Sequence, residues 1–220
     1  MNRTVFGFLF LFLFVSSCGT SGVNDVVWDF TDINSIGGNK TTVIGQPKII
    51  EAEKGKAIEF DGVDDGLIVE TLPIAGAEKF TIEIIFCPEA TGLQTQRFLN
   101  LQENNSRNRV LLIMEASPSD KIWYLQTFIK SSAGTLDMFQ AEKFYPTGQW
   151  HSVAVVYDGQ KLHNYVNGIK EFSQELAFTP LAEGKTSIGM KINQQSYFNG
   201  AVRKIRFSRQ ALEPDKLLKP

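Results

Sequence analysis

The fold of this chain is easiest to read in Val153–Phe172, VAVVYDGQKLHNYVNGIKEF. Within it, Asp158-Gly159 and Asn167-Gly168 stand between short runs in which apolar and polar residues alternate. Both dipeptides favour the left-handed backbone conformations that tight hairpin turns need. The stretch therefore predicts a three-stranded antiparallel meander.

The same two-residue period recurs along the chain from residue 26 onward, and no run of ten or more residues keeps a helical period. A short turn near Glu213–Leu218 is the exception. The alternating segments are Ala57–Phe60, Gly66–Glu70, Phe80–Phe86, Arg97–Leu101, Val110–Glu115, Ile122–Lys130, Ser152–Tyr157, Leu162–Val166, Thr186–Met190 and Ala201–Phe207. This pattern predicts an all-β sandwich or barrel.

Length and composition are those of one globular domain. The chain has 220 residues, of which 43% are hydrophobic and 21% charged, and all-β domains of roughly 200 residues are common. Its formal net charge of −2 offers no field that would attract a polyanion, and Lys and Arg form no run along the sequence. Nucleic-acid binding is therefore not expected.

The first residues have the pattern of an export signal. Val5–Val15 is a bare apolar run of about 11 residues, which as a helix would span only about 17 Å and is too short to cross a bilayer. Val15-Ser16-Ser17-Cys18 resembles the bacterial lipobox, whose cysteine is lipidated after cleavage. A plain secretory signal cut near the same point is the alternative.

This interpretation divides the chain into a lipoprotein signal peptide at residues 1–17, a lipid-anchored tether at 18–25 and one domain at 26–220. Lipidated Cys18 would hold the protein on a membrane of the cell envelope. Gly19 is not the Asp that favours inner-membrane retention in enteric bacteria. We therefore expect the outer membrane of a Gram-negative bacterium.

Several segments carry recognisable motifs: GKAIEFDGVDD at Gly55–Asp65, WHSVAVVYDG at Trp150–Gly159, YVNG at Tyr165–Gly168 and FNGAVRKIRF at Phe198–Phe207. Together with Trp28–Asp32, Phe80–Glu83 and Ala211–Asp215, and in this order, they resemble the laminin-G-like (LamG type 3) jelly rolls of the concanavalin A-like lectin/glucanase superfamily. The resemblance implies a two-sheet antiparallel β-sandwich. Alternation along the second motif directs Trp150, Ala154 and Val156 towards a core.

The superfamily also contains glycanases with an E-x-D-x-x-E strand motif. The nearest match here is Glu59-Phe60-Asp61 followed by Asp64, which lacks the last Glu. No sequence partner marks His151 or His163 for catalysis, and no zinc-ligand spacing occurs. The sequence therefore favours a domain without catalysis. A glycoside-processing enzyme with a non-standard acid pair is the alternative.

Calcium is the cofactor that this sequence suits. Asp61, Asp64 and Asp65 supply hard oxygen ligands within one turn, and related domains often hold Ca²⁺ with Asp side chains. Asp61 and Asp65 are the candidate ligands. In the competing interpretation the same carboxylates cap a tight turn.

Carbohydrate recognition needs an aromatic platform with polar groups beside it. Trp123 and Tyr124 are adjacent on a predicted strand, so at most one of them can line a given face. The candidate ligand-binding residues are Trp123, Tyr124, Tyr145, Tyr197, Asn193 and Arg107. Packing in the core or at its rim is the other interpretation of each aromatic residue.

The function that these observations favour is a non-catalytic, envelope-anchored module that binds a glycan through a concave face or a loop rim of the sandwich. A structural lipoprotein that recognises protein is a second alternative. It predicts an exposed apolar patch of several hundred Å².

Overall fold

The computed structural model describes residues 25–220, so the predicted signal peptide and Cys18 lie outside the described part of the chain. Seventeen strands and one short 3₁₀ helix, Pro214–Lys216, make up this part. The strands are β1 (Val26–Asp29), β2 (Ser35–Ile36), β3 (Asn39–Ile44), β4 (Lys48–Ala52), β5 (Gly55–Asp61), β6 (Gly66–Val69), β7 (Phe80–Pro88), β8 (Thr95–Glu103), β9 (Arg109–Ser117), β10 (Ile122–Ser131), β11 (Gly134–Phe139), β12 (Tyr145–Pro146), β13 (His151–Tyr157), β14 (Lys161–Val166), β15 (Ile169–Glu175), β16 (Gly184–Ile188) and β17 (Asn199–Ser208).

The strands form two antiparallel sheets, which confirms the predicted β-sandwich. Sheet A has eight strands in the order β15-β14-β13-β7-β17-β5-β4, with β1 paired to β17. Sheet B has nine strands in the order β11-β10-β9-β8-β16-β6-β3-β2, with β12 paired to β10. In residues 25–220 no helix is long and apolar enough to cross a bilayer.

The main core lies between the sheets and is rich in aromatic side chains. Trp28 and Trp123 are fully buried there. The rings of Phe86 in sheet A and Phe98 in sheet B stack with their centroids 4.6 Å apart. Each aromatic side chain removes a large apolar area from water, so these contacts hold the two sheets together.

The predicted meander is present as β13, β14 and β15. Val153 pairs with Val166 at its first hairpin, and Asn164 pairs with Phe172 at its second. Asn167 and Gly168 both have positive φ, 53° and 78°, as the turn signal predicts. At the other turn, Asp158 Oδ1 accepts the N–H groups of Gln160 and Lys161, both at 2.8 Å.

A second, smaller core lies on the outer face of sheet A. Ala154, Val156 and Tyr165 are buried there beneath Leu217 of the C-terminal segment. The alternate residues of β13, among them Val153 and Val155, fill the main core instead. The prediction that Trp150 points towards a core with Ala154 and Val156 is therefore wrong for Trp150. The side chain of Trp150 lies on the same face of sheet A as Ala154 and Val156. The C-terminal segment does not cover it, so the indole is only partly buried.

Candidate functional site

A cleft of about 570 Å³ opens on the outer face of sheet A, beyond the area that the C-terminal segment covers. We call it the indole cleft. It is lined by Gly45, Gln46, Lys48, Ile50, Glu59, Phe60, Asp61, Asp64, Asp65, Cys87, Glu89, Trp150, Asn199, Gly200 and Ala201.

Strand register explains why these residues meet. Glu59 of β5 lies opposite Lys48 of β4 and Ala201 of β17, and Ala201 lies opposite Cys87 of β7. Directly paired residues share a face of the sheet. Trp150 precedes His151, which pairs with Phe86, so the indole stands beside Cys87. The small side chain of Ala201 leaves a depression between Glu59 and Trp150.

Trp150 forms one wall of the indole cleft, and a cationic side chain packs against its ring. The guanidinium of Arg203, a buried residue, lies 4.8 Å from the centre of its ring. Such a cation–π contact fixes the orientation of the ring. At the opposite wall, the Asn199 side-chain amide donates to the Thr91 hydroxyl at 2.8 Å, which holds that polar group in place.

The acidic turn Asp61–Asp65 closes one end of the indole cleft. Asp61 Oδ1 accepts the N–H groups of Val63 at 2.8 Å and Asp64 at 3.2 Å. Burial opposes ionisation of Asp61, but these amide donors lower its pKa below the ordinary value. Asp65 is nearly fully buried, and its two oxygens accept the N–H groups of Gln46 at 2.6 Å and Asp61 at 3.2 Å. Burial raises the pKa of Asp65.

The acidic turn could also offer oxygens to a cation, since carboxylate oxygens of Asp61, Asp64 and Asp65 lie within 4.8 Å of one another. Calcium takes six to eight oxygen ligands. Here both oxygens of Asp65 and one of Asp61 already accept backbone N–H groups. The carboxylates are thus mainly used to close the turn, and the calcium site stays a prediction.

Carboxylates are numerous in the indole cleft, where Glu59, Asp61 and Glu89 are all exposed. Glu59 and Asp61 are two residues apart on β5, so both side chains leave the same face of sheet A. Cys87 also lines the cleft, two residues before Glu89. Burial, and then the charge of Glu89, raise the pKa of its thiol to about 11.

The predicted aromatic platform is not assembled as expected. Trp123 is fully buried in the main core, so its ring cannot serve as an exposed platform, because β10 directs it between the sheets. Tyr145 is half-buried against it, with ring centroids 5.4 Å apart. Its hydroxyl donates to Glu171 at 2.8 Å, and burial together with this contact raises its pKa. Trp123 and Tyr145 therefore pack in the core and at its rim, as the alternative interpretation of these aromatic residues predicts.

Tyr124, Arg107, Asn193 and Tyr197 lie elsewhere, around the outer face of sheet B. Tyr124 alternates with Trp123 and is half-buried on that face, with Phe139 6.2 Å away between ring centroids. Asn193 and Tyr197 belong to the loop after β16, which is fastened to β8 through the N–H of Ile192 and Asn100 Oδ1 at 3.0 Å. None of these four residues lines the indole cleft; Tyr197 comes nearest to it along the chain, two residues before Asn199.

The two histidines are held by hydrogen bonds. His151 Nε2 lies 2.8 Å from the carbonyl oxygen of Pro146, and burial lowers the pKa of this imidazole. His163 Nδ1 lies 2.6 Å from the Ser173 hydroxyl, and its Nε2 lies 2.9 Å from Asp158 Oδ2. Neither imidazole lines the indole cleft.

With this geometry described, the chain can be compared with known proteins. A laminin G family model (Laminin_G_3), described as concanavalin A-like lectin/glucanases superfamily, matches residues 61–217. The chain belongs to this family. No curated protein matches the chain.

Solved structures show the same fold as this laminin G domain. One is domain 4 of AbnA, an extracellular GH43 arabinanase from Geobacillus stearothermophilus, in complex with arabinotriose. It has a TM-score of 0.60 and 17% identity over 87% of this chain and 94% of that one. A SAP-like pentraxin from Limulus polyphemus has a TM-score of 0.56 and 20% identity over 72% of this chain and 77% of that one.

The binding domain of Paraclostridial Mosquitocidal Protein 1 has a TM-score of 0.66 and 13% identity over 88% of this chain. The laminin G domain spans only 50% of that toxin domain. At such identities the likeness concerns the fold, and a fold of this kind hosts many functions.

Proposed function

We propose that this laminin G domain is a non-catalytic carbohydrate-binding module of the bacterial cell envelope. The observation that carries the proposal is the indole cleft, whose lining combines Trp150 with the polar side chains of Asn199, Gln46 and Glu59. Small-molecule sites are typically concave, with an aromatic wall and a few well-placed polar groups. A neutral saccharide offers an apolar ring face to the indole and hydroxyl groups to the amides and carboxylates.

The structural relatives support this proposal at the level of the fold. Domain 4 of the arabinanase is in complex with arabinotriose, and it is covered almost completely by this chain. The same type of sandwich therefore holds a neutral oligosaccharide in another protein.

A glycan array with residues 26–220 tests the proposal, with arabinan, other plant, host and bacterial glycans as probes. We expect Trp150→Ala to weaken binding of any glycan hit at least tenfold, because it removes the stacking wall. Trp150→Phe should retain part of the affinity. Phe172→Ala is the matched control, because Phe172 is a partly exposed aromatic residue on the edge strand β15 and lies outside the indole cleft. Absence of binding to every glycan, or equal loss with Phe172→Ala, would refute the proposal.

A glycoside hydrolase is the second candidate, favoured by the exposed carboxyls of Glu59, Asp61 and Glu89 in one cleft. Retaining and inverting hydrolases need two carboxyls facing the scissile bond, one of them with a raised pKa. Asp61 has a lowered pKa instead and accepts amide N–H groups of its own turn. We expect no release of reducing sugar from bound glycans. Hydrolysis that Glu59→Gln or Glu89→Gln abolishes would establish the enzyme.

We also propose that Cys18 is lipidated and anchors the domain in the outer membrane. The support is the lipobox-like sequence Val15–Cys18 and the short apolar run before it. In a Gram-negative host, Cys18→Ala should move the protein from the membrane pellet to the soluble fraction and abolish labelling with radioactive palmitate. Unchanged fractionation of the variant would show that Cys18 is not the anchor.

A further inference from the structure

A second group of residues that suits ligand binding lies on the outer face of sheet B. Arg97 pairs with Ile113, Ile113 with Gln126, and Gln126 with Phe139, so these four residues form a row on that face. In a neighbouring row Leu111 pairs with Phe128. Leu111 and Ile113 are buried although they point away from the main core.

Three cations gather on this face, and we call them the cation cluster: Arg97 of β8, Arg109 of β9 and Lys191 of the loop after β16. All three are half-buried. Within residues 25–220, none of them forms an ion pair with a carboxylate; the ion pairs found there involve His163, Lys185, Lys204 and Arg206 instead. Half-buried cations without a partner are unusual, because removal from water penalises the charge.

The donors of the cation cluster are also largely free. Arg97 Nε and Arg109 Nε are buried and have no hydrogen-bond partner within the described residues. Arg109 donates only through Nη1, to the carbonyl of Arg107 at 2.7 Å, and its guanidinium lies 4.6 Å from the ring centre of Phe128. Buried donors are nearly always satisfied in native proteins. Each of these two guanidinium groups therefore keeps N–H donors that no acceptor of the described residues satisfies.

The fold holds Lys191 in the cation cluster. The N–H of Lys191 donates to the carbonyl of Gln195 at 2.9 Å, and the N–H of Arg97 donates to the carbonyl of Ser196 at 2.9 Å. The loop accepts left-handed backbone at Gln194 and Ser196, with φ of 58° and 56°. Strained conformations at non-glycine residues persist where the surroundings fix them.

The electrostatics agree with this geometry. Burial lowers the pKa of Lys191, and the charges of Arg109 and Arg97 lower it further. Burial likewise lowers the pKa of Arg97 and of Arg109. The charges of Arg97 and Arg109 therefore disfavour the charged form of Lys191, and a bound anion would relieve that repulsion.

Two carboxylates border the cation cluster: the charges of Glu115 and Asp137 partly offset the effect of burial on the pKa of Arg97, but neither carboxylate forms an ion pair with it. Glu115 accepts the hydroxyl of Thr95 at 2.8 Å, and Asp137 accepts the side-chain amide of Gln126 at 2.6 Å. Their negative charges restrict the attractive region to the area around the three cations. Such a restricted region suits one anionic group of a ligand at a time.

We propose that the outer face of sheet B is a second ligand site, in which Arg97, Arg109 and Lys191 bind the carboxylate or sulfate group of an acidic saccharide. Guanidinium groups hold such oxyanions by two parallel hydrogen bonds. Around the cluster, Asn193, Gln194 and Gln195 expose amides that could contact sugar hydroxyls. The chain as a whole is negative, with a net charge of −2, so preference for an acidic ligand has to come from this local site.

Isothermal titration of residues 26–220 tests the proposal with two pairs of probes: oligogalacturonate against its methyl ester, and dextran sulfate against dextran. We expect binding of an acidic probe, weaker or absent binding of its neutral counterpart, and a loss of affinity as salt is raised. Whether the carboxylate or the sulfate is preferred follows from comparing the two acidic probes. Failure of both acidic probes to bind, or equal binding of the neutral ones, overturns the proposal.

Variants locate the site. Arg97→Gln and Lys191→Gln should each weaken the acidic probe about tenfold or more, and Arg97→Lys less. Lys56→Gln is the matched control, because Lys56 is an exposed cation on sheet A, and it should leave affinity unchanged. If Arg97→Gln fails to fold because Arg97 lies in a strand, Lys191→Gln still tests the site, because Lys191 lies in a loop. Equal loss with Lys56→Gln would show non-specific attraction and reject the site. Binding of neutral glycans in the indole cleft is measured separately, so either proposal can fail without the other.

Discussion

At the scale of single residues, the same kind of side chain has opposite roles in different places. Trp123 and Trp150 are both near a predicted strand, but Trp123 is buried between the sheets while Trp150 walls the indole cleft. Asp65 and Asp64 are neighbours, but only Asp65 accepts backbone N–H groups. Residue type alone therefore says little about which side chain holds the fold and which meets a ligand.

Asp65→Ala tests the structural role of the acidic turn. The variant leaves the part-buried N–H groups of Gln46 and Asp61 without their acceptor, so we expect it to lower the free energy of unfolding by about 1 kcal/mol. Asp64→Ala, which removes an exposed carboxylate that none of these amides uses, should change it little. Urea denaturation measures both variants, with calcium and with EGTA. A loss that appears only in calcium would instead identify Asp65 as a calcium ligand.

Asp158 should make stability depend on pH in the acid range. Its hydrogen bond with His163 lowers its pKa from 3.8 to about 2. A carboxyl with a lowered folded pKa stabilises the fold above its unfolded pKa, and this contribution is lost as pH falls towards the folded pKa. The stability difference between wild type and Asp158→Asn should therefore be largest above about pH 4 and vanish near pH 2. Thermal unfolding from pH 2 to 6 checks this. A difference independent of pH would contradict it.

At the scale of elements, the C-terminal segment decides which part of sheet A stays open. It buries Leu217 over Ala154, Val156 and Tyr165 and leaves the region of Trp150 uncovered. Its backbone is tied to the sheet, because the N–H of Leu218 donates to Glu83 at 2.6 Å and Arg206 donates to the carbonyl of Lys216 at 2.7 Å. Without this segment, the outer face would expose a large apolar area.

The ion pair of Glu83 and Arg206 under this segment should be costly to break from one side. Glu83 has 1% side-chain exposure and Arg206 17%. Arg206→Met leaves a buried carboxylate without its cation, and we expect a loss of about 3 kcal/mol or more. The double variant Glu83→Leu with Arg206→Met should recover much of this loss, because no unpaired charge stays buried. A double-mutant cycle by urea denaturation measures the coupling between Glu83 and Arg206. Losses in the free energy of unfolding that simply add would contradict it.

At the scale of the whole molecule, the two proposed sites lie on opposite outer faces of the sandwich. The indole cleft belongs to sheet A and the cation cluster to sheet B, with the full core between them. Packed sheets are about 10 Å apart, and the aromatic core couples them rigidly. Trp150 and the cation cluster have no side chain in common; the two faces are connected at one end of the sandwich, where the N–H of Asn199 donates to the side-chain carbonyl of Gln96, the neighbour of Arg97, at 2.8 Å.

We accordingly expect the two kinds of binding to be independent. Trp150→Ala should weaken a neutral glycan and leave an acidic probe unchanged, while Arg97→Gln should do the reverse. In the double variant, the changes in binding free energy should add within about 0.5 kcal/mol. Titration calorimetry with each probe, and with one probe in the presence of the other, measures this. A change in the affinity of one probe when the other is bound would show coupling through the core.

Most strands could be predicted because a half-buried strand must alternate between a core and an opposite face. Each of the ten alternating segments coincides with an observed strand from β5 to β17, and only two of them run past its end, at Glu70 and at Met190. Strands β2, β3, β4, β11 and β12 lie outside every predicted strand. They are short and closer to the sheet edges, where fewer positions are buried and the apolar period is weak.

The candidate sites were harder to predict because they depend on contacts between distant strands. Four of the predicted ligand-binding residues lie around the outer face of sheet B. The sequence analysis does not identify the three residues of the cation cluster on that face, Arg97, Arg109 and Lys191. Arg97 and Arg109 begin or border predicted strands, and a charged residue on the non-core side of a strand was the available signal. Lys191 lies in a loop, and nothing local connects it with them.

The sequence by itself determined the antiparallel sandwich, its turns and its family, because alternation and turn chemistry act between neighbours in the chain. Only the tertiary structure decided that Trp150 lines a cleft rather than a core. Its position directly before β13 determines which face it shares, but the C-terminal segment, more than fifty residues later, determines how much of that face is covered. The sites therefore arise from what packs over each sheet, and the order of residues within one strand does not contain that information.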